Sequence, residues 1–271
     1  MEWVNGQLQS WIPVDDRGLT LGDGFFTTIQ IWKGKPLLWE LHQARLSASA
    51  ERLQLSLTEP EQLYDRLISC VADVHHGSAK IIITRGSGPR GYGIRACQAP
   101  REIISVHDYP TIYQQWQQSG IPLAVCQGRL GASPLVAGLK CLGRLEQVLL
   151  KAELETRGAV EGVVLDIDDN IVETVTANVF WRRDSVVYTP DLRASGVSGV
   201  MRAWIMQQLA QSGLVCRQLR AGLAALQSAD EVFISNALME VVPVTGIEDV
   251  TYHDHSLARQ LQAAFCQTTK A

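Results

Sequence analysis

The chain has 271 residues, of which 46% are hydrophobic, and carries a formal net charge of −4 at pH 7. This length allows one large domain or two modest ones, each with its own core. The mild negative charge argues against nucleic-acid binding, which needs clustered Lys and Arg, and no apolar run is long enough to cross a bilayer. The N-terminal segment MEWVNGQLQS lacks the basic start and apolar core of a secretory signal. We therefore expect a soluble, cytoplasmic protein with no nucleic-acid or membrane partner.

Strand and helix signals alternate through the first half of the chain. A hairpin is predicted over residues 1–14 with its turn at Asn5-Gly6, because Asn and Gly tolerate positive φ. A second hairpin is predicted where Lys33-Gly34-Lys35 interrupts an apolar and β-branched run. The other elements predicted here are a helix over 40–57, a helix over 60–75, a strand over 80–84, a loop over 85–93 and a strand over 102–108.

The second half begins with a polar, Gln-rich stretch, residues 109–120, which is bounded by Pro110 and Pro122 and is predicted to be a linker. Strands are predicted over 122–127, 161–166, 176–182, 185–189 and 231–234, and helices over 144–157, 200–211 and 257–266. This mixture favours an α+β protein of two domains, with functional loops near their junction. We expect the domains to cover residues 1–114 and 115–271.

Cysteine and histidine usage argues against a disulfide framework and against a metal site. The six cysteines are scattered and form no Cys-x-x-Cys pair, which is typical of reduced, mostly buried thiols in a chain of this size. The six histidines form no set with ligand spacing, and His253 and His255 are more typical of a surface turn than of a zinc site. We expect no bound metal.

Lys140 is an isolated charge in the segment AGLKCLG. A lysine in apolar surroundings loses solvation of its ammonium form, so its pKa falls and the free amine can act as a nucleophile or base. The alternative is a lysine that extends from a loop into water. The segment alone does not decide between the two.

Glu173 is a second isolated charge, in the segment IVETVTANVF, whose composition indicates a strand followed by a turn. An unpaired carboxylate would be costly there, so a cationic or proton-donating partner is expected. A pyridinium nitrogen would serve, because the carboxylate keeps the ring protonated and a protonated ring is a better electron sink. An ion pair with an arginine is the alternative. With Lys140, this residue suggests a site built around a buried, charged cofactor.

Three features are suited to binding phosphate. Arg45, on or beside the apolar face of a predicted helix, offers a planar fork of donors. The turn over residues 196–199 opens a predicted helix, where free backbone N–H groups favour anions. The Ser235-Asn236-Ala237 turn adds small hydrogen-bonding residues. Each feature is weak alone, since glycine caps are common and an arginine on a helix can simply be solvated.

Six segments distributed over nearly the whole chain resemble, in the same order, those of a known family. They are DRGLTLGDGFFTT (16–28), LHQARLSASAERL (41–53), GLKCLGRLEQVLL (138–150), VETVTANVFW (172–181), SGVMR (198–202) and EVFISNALMEVVPV (231–244). In these segments the chain resembles the fold-type IV pyridoxal-phosphate enzymes (aminotransferase class IV), a group of branched-chain and D-amino-acid aminotransferases and aminodeoxychorismate lyases. The stretches RGSGPRGYG (85–93) and NVFWRRDSVVYTP (178–190) make the likeness strongest to the bacterial lyases.

The resemblance implies a two-domain fold of the D-amino-acid aminotransferase type, with pyridoxal 5′-phosphate bound at the domain junction. It implies that Lys140, in the C-terminal domain, is the Schiff-base lysine and that Glu173 faces the pyridine nitrogen. It also implies a homodimer with the active site near the subunit boundary.

The resemblance further implies which residues hold the cofactor phosphate and the substrate. The implied phosphate ligands are Arg45, backbone groups of Val200 and Met201, and Asn236 or Ala237. Arg90 and Tyr92, in the loop over residues 85–93, are expected near the substrate carboxylates.

The implied reaction converts 4-amino-4-deoxychorismate to 4-aminobenzoate and pyruvate, a step of folate biosynthesis. Lys140 would remove the proton from the amine-bearing ring carbon as general base, and Thr27, Thr28 or Lys140 would protonate the leaving fragment. The chain departs from the commonest aminotransferase form after the glutamate, where Thr174-Val175 replaces Gly-Ser or Gly-Thr. A D-amino-acid or branched-chain aminotransferase is the alternative, and a non-catalytic protein that binds pyridoxal phosphate is a second one.

Overall fold

The structure is a computed structural model of the chain and describes residues 1–270. The fold comprises two compact units: Met1–Pro110 with Lys140–Gly143, and Thr111–Leu139 with the chain from Arg144 onward. Lys140–Gly143 thus groups with the first unit although its neighbours in sequence belong to the second. The domain limits at residues 114 and 115 stay a prediction, because compactness does not show which segment folds alone.

The first unit is an antiparallel sheet in the strand order β2-β1-β6-β5-β3-β4, with helices packed on one face. Its elements are β1 (Glu2–Val4), β2 (Gln7–Leu8), α1 (Arg17–Leu21), β3 (Gly24–Trp32), β4 (Lys35–Pro36), α2 (Trp39–Leu53), α3 (Pro60–Val71), β5 (His76–Thr84) and β6 (Arg101–Asp108). Both predicted hairpin turns are confirmed, at Asn5-Gly6 and at Lys33-Gly34. All four turn residues have positive φ, which the tight turns between twisted strands require.

The alternation of side chains along β3 gives this sheet two different faces. Phe25, Ile29 and Ile31 are buried in a core with residues of α2 and α3. Phe26 and Thr28 point to the opposite face and are half-buried. The helix-covered face therefore provides the core of the first unit, whereas the side chains on the opposite face are less deeply buried.

The second unit is a mixed sheet in the strand order β12-β11-β10-β13-β14-β7-β8-β9, with β15 paired to β14. Its elements within the described chain are α4 (Ile112–Ser119), β7 (Ile121–Leu130), α5 (Leu145–Thr156), β8 (Gly162–Asp166), β9 (Ile171–Thr174), β10 (Asn178–Arg183), β11 (Val186–Pro190), α6 (Val200–Gln211), β12 (Val215–Leu219), α7 (Ala224–Gln227), β13 (Glu231–Asn236), β14 (Glu240–Ile247), β15 (Val250–Thr251) and α8 (Ser256–Thr269).

The central strands of this second sheet are buried. Phe180 of β10 stacks on Phe233 of β13 with ring centroids 5.2 Å apart. Trp204 of α6 meets Phe265 of α8 edge to face at 5.1 Å. Because these aromatic contacts order the strands and α6, the turns at the strand ends are held in place for the site.

The linker predicted over residues 109–120 is wrong, because α4 occupies Ile112–Ser119. Glutamine is a good helix former, and Tyr113 and Trp116 pack against the core of the second unit. The Gln117 side chain also donates to the Met239 carbonyl at 3.0 Å. A polar, Gln-rich composition therefore marks a partly exposed helix here and not a flexible connection.

The α+β class predicted from the sequence is confirmed by this mixture of sheets and helices. The long strand β14, which contains Pro243, lies outside the strands predicted from the sequence. Among residues 1–270, no helix has the length and apolar character needed to span a membrane.

Candidate functional site

Lys140 lies at the edge of β3. The Phe26 N–H donates to the Lys140 carbonyl at 2.9 Å, and the Leu142 N–H donates to the Gly24 carbonyl at 3.1 Å. The lysine is half-buried, and its Nζ lies 4.7 Å from the centroid of the Phe26 ring. The amine is therefore placed over an aromatic face, which attracts a cation.

Lys80 shares that aromatic face. Its Nζ lies 4.5 Å from the Phe26 ring centroid, and burial lowers the pKa of Lys80. Thr28 pairs with Lys80 across the sheet and lies on the same face of β3 as Phe26. This face of the first unit thus presents two amines and a hydroxyl.

Gly138, two residues before Lys140, is anchored within the second unit. Its N–H donates to the Gly196 carbonyl at 2.9 Å, and its carbonyl accepts from the Ser198 N–H at 2.9 Å. Its φ of +83° suits glycine, and a Cβ there would meet the Ser198 hydroxyl at 3.1 Å. The backbone two residues before Lys140 is therefore fixed by hydrogen bonds to the segment that precedes α6.

Glu173 of β9 is tied to the same segment. The side chain is buried, and its Oε2 accepts a hydrogen bond from the Val197 N–H at 2.8 Å. Gly196 has a φ of +86°, and a Cβ there would lie 3.3 Å from Oε2 of Glu173 and 2.6 Å from Cγ1 of Val172. The main chain at residues 196–197 thus orients the carboxylate.

The turn after Glu173 is held by Glu161. One oxygen of the Glu161 carboxylate accepts from the Val175 N–H at 2.9 Å. The other accepts from the Thr176 N–H at 3.2 Å and from the Thr176 hydroxyl. Burial raises the pKa of Glu161, and these donors act in the opposite direction. The departure from the commonest aminotransferase form therefore has its own structural support in this chain.

Arg45 of α2 contacts the other side of β3. Its Nη2 donates to the hydroxyl of Thr27, and Thr27 Oγ1 lies 2.6 Å from Nδ1 of His42. Burial lowers the pKa of Arg45 to about 10. Its Nε is buried and has no hydrogen-bond partner within residues 1–270. A buried guanidinium N–H without an acceptor suits a bound anionic oxygen.

The start of α6 lies close against Asn178 of β10, and its first backbone N–H groups carry no side-chain cap. Gly199 is its N-cap and no side chain caps the helix, so the first N–H groups have no acceptor within the helix. A Cβ at Gly199 would lie 2.1 Å from Oδ1 of Asn178, whose Nδ2 donates to the Val197 carbonyl at 2.8 Å. Val200 and Met201, implied as phosphate ligands, are the first two residues of this helix.

The turn between β13 and β14 lies beside the turn that follows Glu173. Asn236 donates through Nδ2 to the Thr176 carbonyl at 3.1 Å. Its Oδ1 accepts from the N–H groups of Leu238 at 2.9 Å and Met239 at 2.8 Å. The Asn236 side chain therefore holds its own turn, which positions the backbone of Ala237.

Arg90 and Tyr92 are exposed, and Tyr92 retains 88% of its accessible surface. Their loop is anchored between them, because Nη1 of Arg17 donates to the Gly91 carbonyl at 2.9 Å. Arg17 is buried and pairs with Asp23 at 2.9 Å. An exposed loop with a fixed midpoint suits contact with a charged molecule from solvent.

The structure brings the implied residues together in two groups. Glu173, the start of α6 and the 235–237 turn are joined by hydrogen bonds within the second unit. Lys140 and Arg45 contact Phe26 and Thr27, which are neighbours on β3 with opposite orientations.

Two buried residues of these groups, His42 and Glu161, were not predicted. The signal for Glu161 is an acid directly before the apolar run GVVL. His42 carries no comparable signal, because a histidine on the buried face of a helix is most often a core residue.

The chain is similar over most of its length to known proteins of one family. Residues 24–247 match the family described as amino-transferase class IV. An aminodeoxychorismate lyase of Vibrio harveyi is 38% identical, with 97% of this chain and 98% of the relative covered. A D-alanine aminotransferase of Bacillus licheniformis is 26% identical, with 89% and 84% covered.

Among solved structures, a 4-amino-4-deoxychorismate lyase of Pseudomonas aeruginosa matches with a TM-score of 0.93 and 38% identity. The match covers 98% of each chain. The chain belongs to the amino-transferase class IV family. The family resemblance and the fold predicted from the sequence are therefore confirmed.

Proposed function

We propose that this protein is a pyridoxal-phosphate-dependent lyase that converts 4-amino-4-deoxychorismate to 4-aminobenzoate and pyruvate. The observation that carries the proposal is the 38% identity over nearly the full length to a protein named aminodeoxychorismate lyase. The similarity to the D-alanine aminotransferase is weaker, at 26%. The reaction would serve folate biosynthesis in the cytoplasm.

Several features of this chain fit pyridoxal phosphate. The buried Nε of Arg45 lacks an acceptor within the described residues, and the N-terminal N–H groups of α6 are uncapped. Both suit the phosphate, with the backbone of the 236–237 turn as a further donor set. When bound, the cofactor would supply an electron sink for the carbanion formed from the substrate.

Lys140 would attach the cofactor and then act as general base. Its Nζ would remove the proton from the amine-bearing ring carbon of the substrate. Pairing of the Lys140 backbone with β3 and the contact of Nζ with the Phe26 ring restrict the motion of this amine. A base must be held within reach of the proton it removes, and this anchoring supports that role.

Glu173 would hold a proton on the pyridine nitrogen. The Val197 N–H fixes one carboxylate oxygen, so the orientation of the group is set before a ligand binds. A preoriented carboxylate costs no reorganisation when charge develops on the ring.

The substrate carries two carboxylates, and Arg90 with Tyr92 would contact one of them. The Arg17 contact to Gly91 keeps these two residues on a loop with a fixed midpoint. Thr28 would donate a proton to the leaving enolpyruvyl fragment, because its hydroxyl shares the face of β3 that carries Phe26. Elimination benefits from a proton donor to the leaving oxygen, whereas amino-group transfer has no such leaving group.

A second copy of the chain would complete the enzyme as a homodimer. Leu145, Val148 and Leu149 of α5 expose 76%, 60% and 69% of their surface. Their spacing places them on one side of the helix, and contiguous exposed apolar residues mark interaction surfaces.

The proposed reaction is tested by incubating purified protein with aminodeoxychorismate and no keto acid. We expect fluorescent 4-aminobenzoate and an equimolar amount of pyruvate. No product, together with amino-group exchange between D-alanine and 2-oxoglutarate, would favour the aminotransferase instead. Lack of both activities in protein that binds the cofactor would favour the non-catalytic alternative.

The attachment site is tested by borohydride reduction and mass spectrometry of the peptides. We expect the cofactor on Lys140 and loss of product in Lys140→Ala. Lys80→Ala is the matched control, because it removes the other amine over the Phe26 ring. Cofactor found on Lys80 would contradict the assignment.

A further inference from the structure

His42, Thr27 and Arg45 form a buried hydrogen-bond chain on the helix-covered face of the first sheet. Thr27 Oγ1 lies 2.6 Å from Nδ1 of His42 and is also bonded to Nη2 of Arg45. Thr27 is 0% exposed and His42 is 1% exposed. Neither the imidazole nor its link to the threonine has a role in the proposed reaction.

The direction of each hydrogen bond follows from the available donors. A guanidinium only donates, so Thr27 Oγ1 accepts from Arg45. Thr27 makes no further side-chain hydrogen bond within residues 1–270, which leaves Nδ1 of His42 as the acceptor for its hydroxyl hydrogen. If Nδ1 of His42 donated to Thr27 instead, the hydroxyl hydrogen of Thr27 would be buried without an acceptor, which is costly.

His42 is therefore neutral in this chain, with its proton on Nε2. Burial, and then the charge of Arg45, hold the pKa of His42 well below its ordinary value of 6.5. An imidazolium would present a donor at Nδ1 and could not accept from Thr27. The hydrogen-bond directions and the burial thus require the same protonation state.

Arg45 is the last member of this series of hydrogen bonds. Its Nη2 is committed to Thr27, whereas its buried Nε has no acceptor within the described residues. Because the guanidinium is planar and rigid, fixing the direction of Nη2 also fixes the direction of the Nε–H bond.

We propose that His42 is a positioning residue for the cofactor: through the Thr27 hydroxyl it orients the Arg45 guanidinium so that Nε remains available to the phosphate. The inference rests on the proposed function, because it requires Arg45 to be a phosphate ligand. It assigns Thr27 to the phosphate site and leaves Thr28, on the other face of β3, as the hydroxyl for proton donation.

The test compares binding of pyridoxal phosphate with binding of pyridoxal, which lacks the phosphate, to full-length protein freed of cofactor. His42→Leu removes the acceptor, and His42→Asn keeps one near the position of Nδ1. We expect His42→Leu to weaken pyridoxal phosphate binding about tenfold and to leave pyridoxal binding unchanged. His42→Asn should restore most of the lost affinity. Dissociation constants come from quenching of tryptophan fluorescence.

Three further variants separate a positioning role from general damage to the fold. Thr27→Val should reproduce His42→Leu, and the double variant should lose no more than either single one, since both break one chain. Leu46→Ala is the control for packing, because Leu46 is buried on the same helix. It should lower the Tm and leave the ratio of the two affinities unchanged.

Equal losses for both ligands in His42→Leu, no loss at all, or no rescue by His42→Asn would each overturn the inference. If His42→Leu does not fold, Thr27→Val compared with Thr27→Ser makes the same test. Arg45→Leu in the same assay tests the assumption that Arg45 binds the phosphate. An unchanged ratio of the affinities for pyridoxal phosphate and pyridoxal would overturn both that assignment and the role of His42. Absence of 4-aminobenzoate with the expected ratios would overturn only the proposed reaction.

Discussion

Arg45 and Glu173 are the charged groups proposed for the phosphate and the ring nitrogen of the cofactor, and the two units hold them differently. Arg45 is oriented by side chains, through the Thr27 hydroxyl and the His42 imidazole. Glu173 is oriented by the main chain, through the Val197 N–H at 2.8 Å. A side-chain contact can be removed without moving the backbone, whereas a main-chain contact changes only when the backbone moves.

The largest effect is expected from Glu173→Gln, which keeps the shape of the side chain and removes its charge. The kcat should fall at least about a hundredfold, because the group stabilises charge that develops during the reaction. Affinity for pyridoxal phosphate and the Tm should change little. Steady-state assay of 4-aminobenzoate together with fluorescence titration measures both. An unchanged kcat would remove Glu173 from the chemistry and reduce it to a structural residue.

Arg45→Leu should act on binding and not on the chemical step. A charge-assisted hydrogen bond contributes about 1.5–3 kcal/mol, so affinity for pyridoxal phosphate should fall roughly tenfold to a hundredfold. The kcat at saturating cofactor should be close to that of the wild type. Arg52→Leu is the matched control, because Arg52 is an exposed arginine on the same helix. Equal effects of the two substitutions would contradict a specific phosphate contact by Arg45.

Gly196→Ala tests the main-chain anchor of Glu173. An alanine at φ +86° is strained, and its Cβ would lie 2.6 Å from Cγ1 of Val172. The free energy of unfolding should fall by about 1–3 kcal/mol, and kcat should fall with it as Oε2 of Glu173 is displaced. Gly213→Ala is the control, since Gly213 has a φ of +72° but open space around it. An equal loss of stability in both variants would show that the strained backbone alone causes the loss and that the contact with Val172 adds nothing.

The smallest effect concerns pH and the side-chain anchor of Arg45. The pKa of His42 is lowered in the folded protein, so below its ordinary value of 6.5 the unfolded chain binds a proton that the folded one does not. This group therefore destabilises the fold as pH falls below 6.5, by up to about 1.4 kcal/mol per pH unit, and contributes nothing above that pH. In urea unfolding at several pH values, His42→Asn should show a smaller decrease. If the free energy of unfolding decreased equally with falling pH in the wild type and in His42→Asn, His42 would be charged in the folded state.

Local signals in the sequence accounted for much of the fold. The turn at Asn5-Gly6 is predicted because Asn and Gly tolerate positive φ, and the turn at Lys33-Gly34 is predicted because these residues interrupt an apolar and β-branched run. The helix predicted over 200–211 after the turn at residues 196–199 is confirmed at its observed limits. The prediction of a linker over residues 109–120 is wrong because glutamine combines high polarity with high helix propensity, and only the packing of Tyr113 and Trp116 decides between helix and linker.

The isolated charges Lys140 and Glu173 were visible in the sequence, because a charge among apolar residues stands out without knowledge of its neighbours in space. The partners of the site residues were not. Thr27 meets His42 and Arg45 across 15 and 18 positions, and Val175 meets Glu161 across 14. Composition and periodicity describe what each segment prefers by itself. Hydrogen-bond partners depend on which segments pack together, so only the tertiary structure decided how each charge is held.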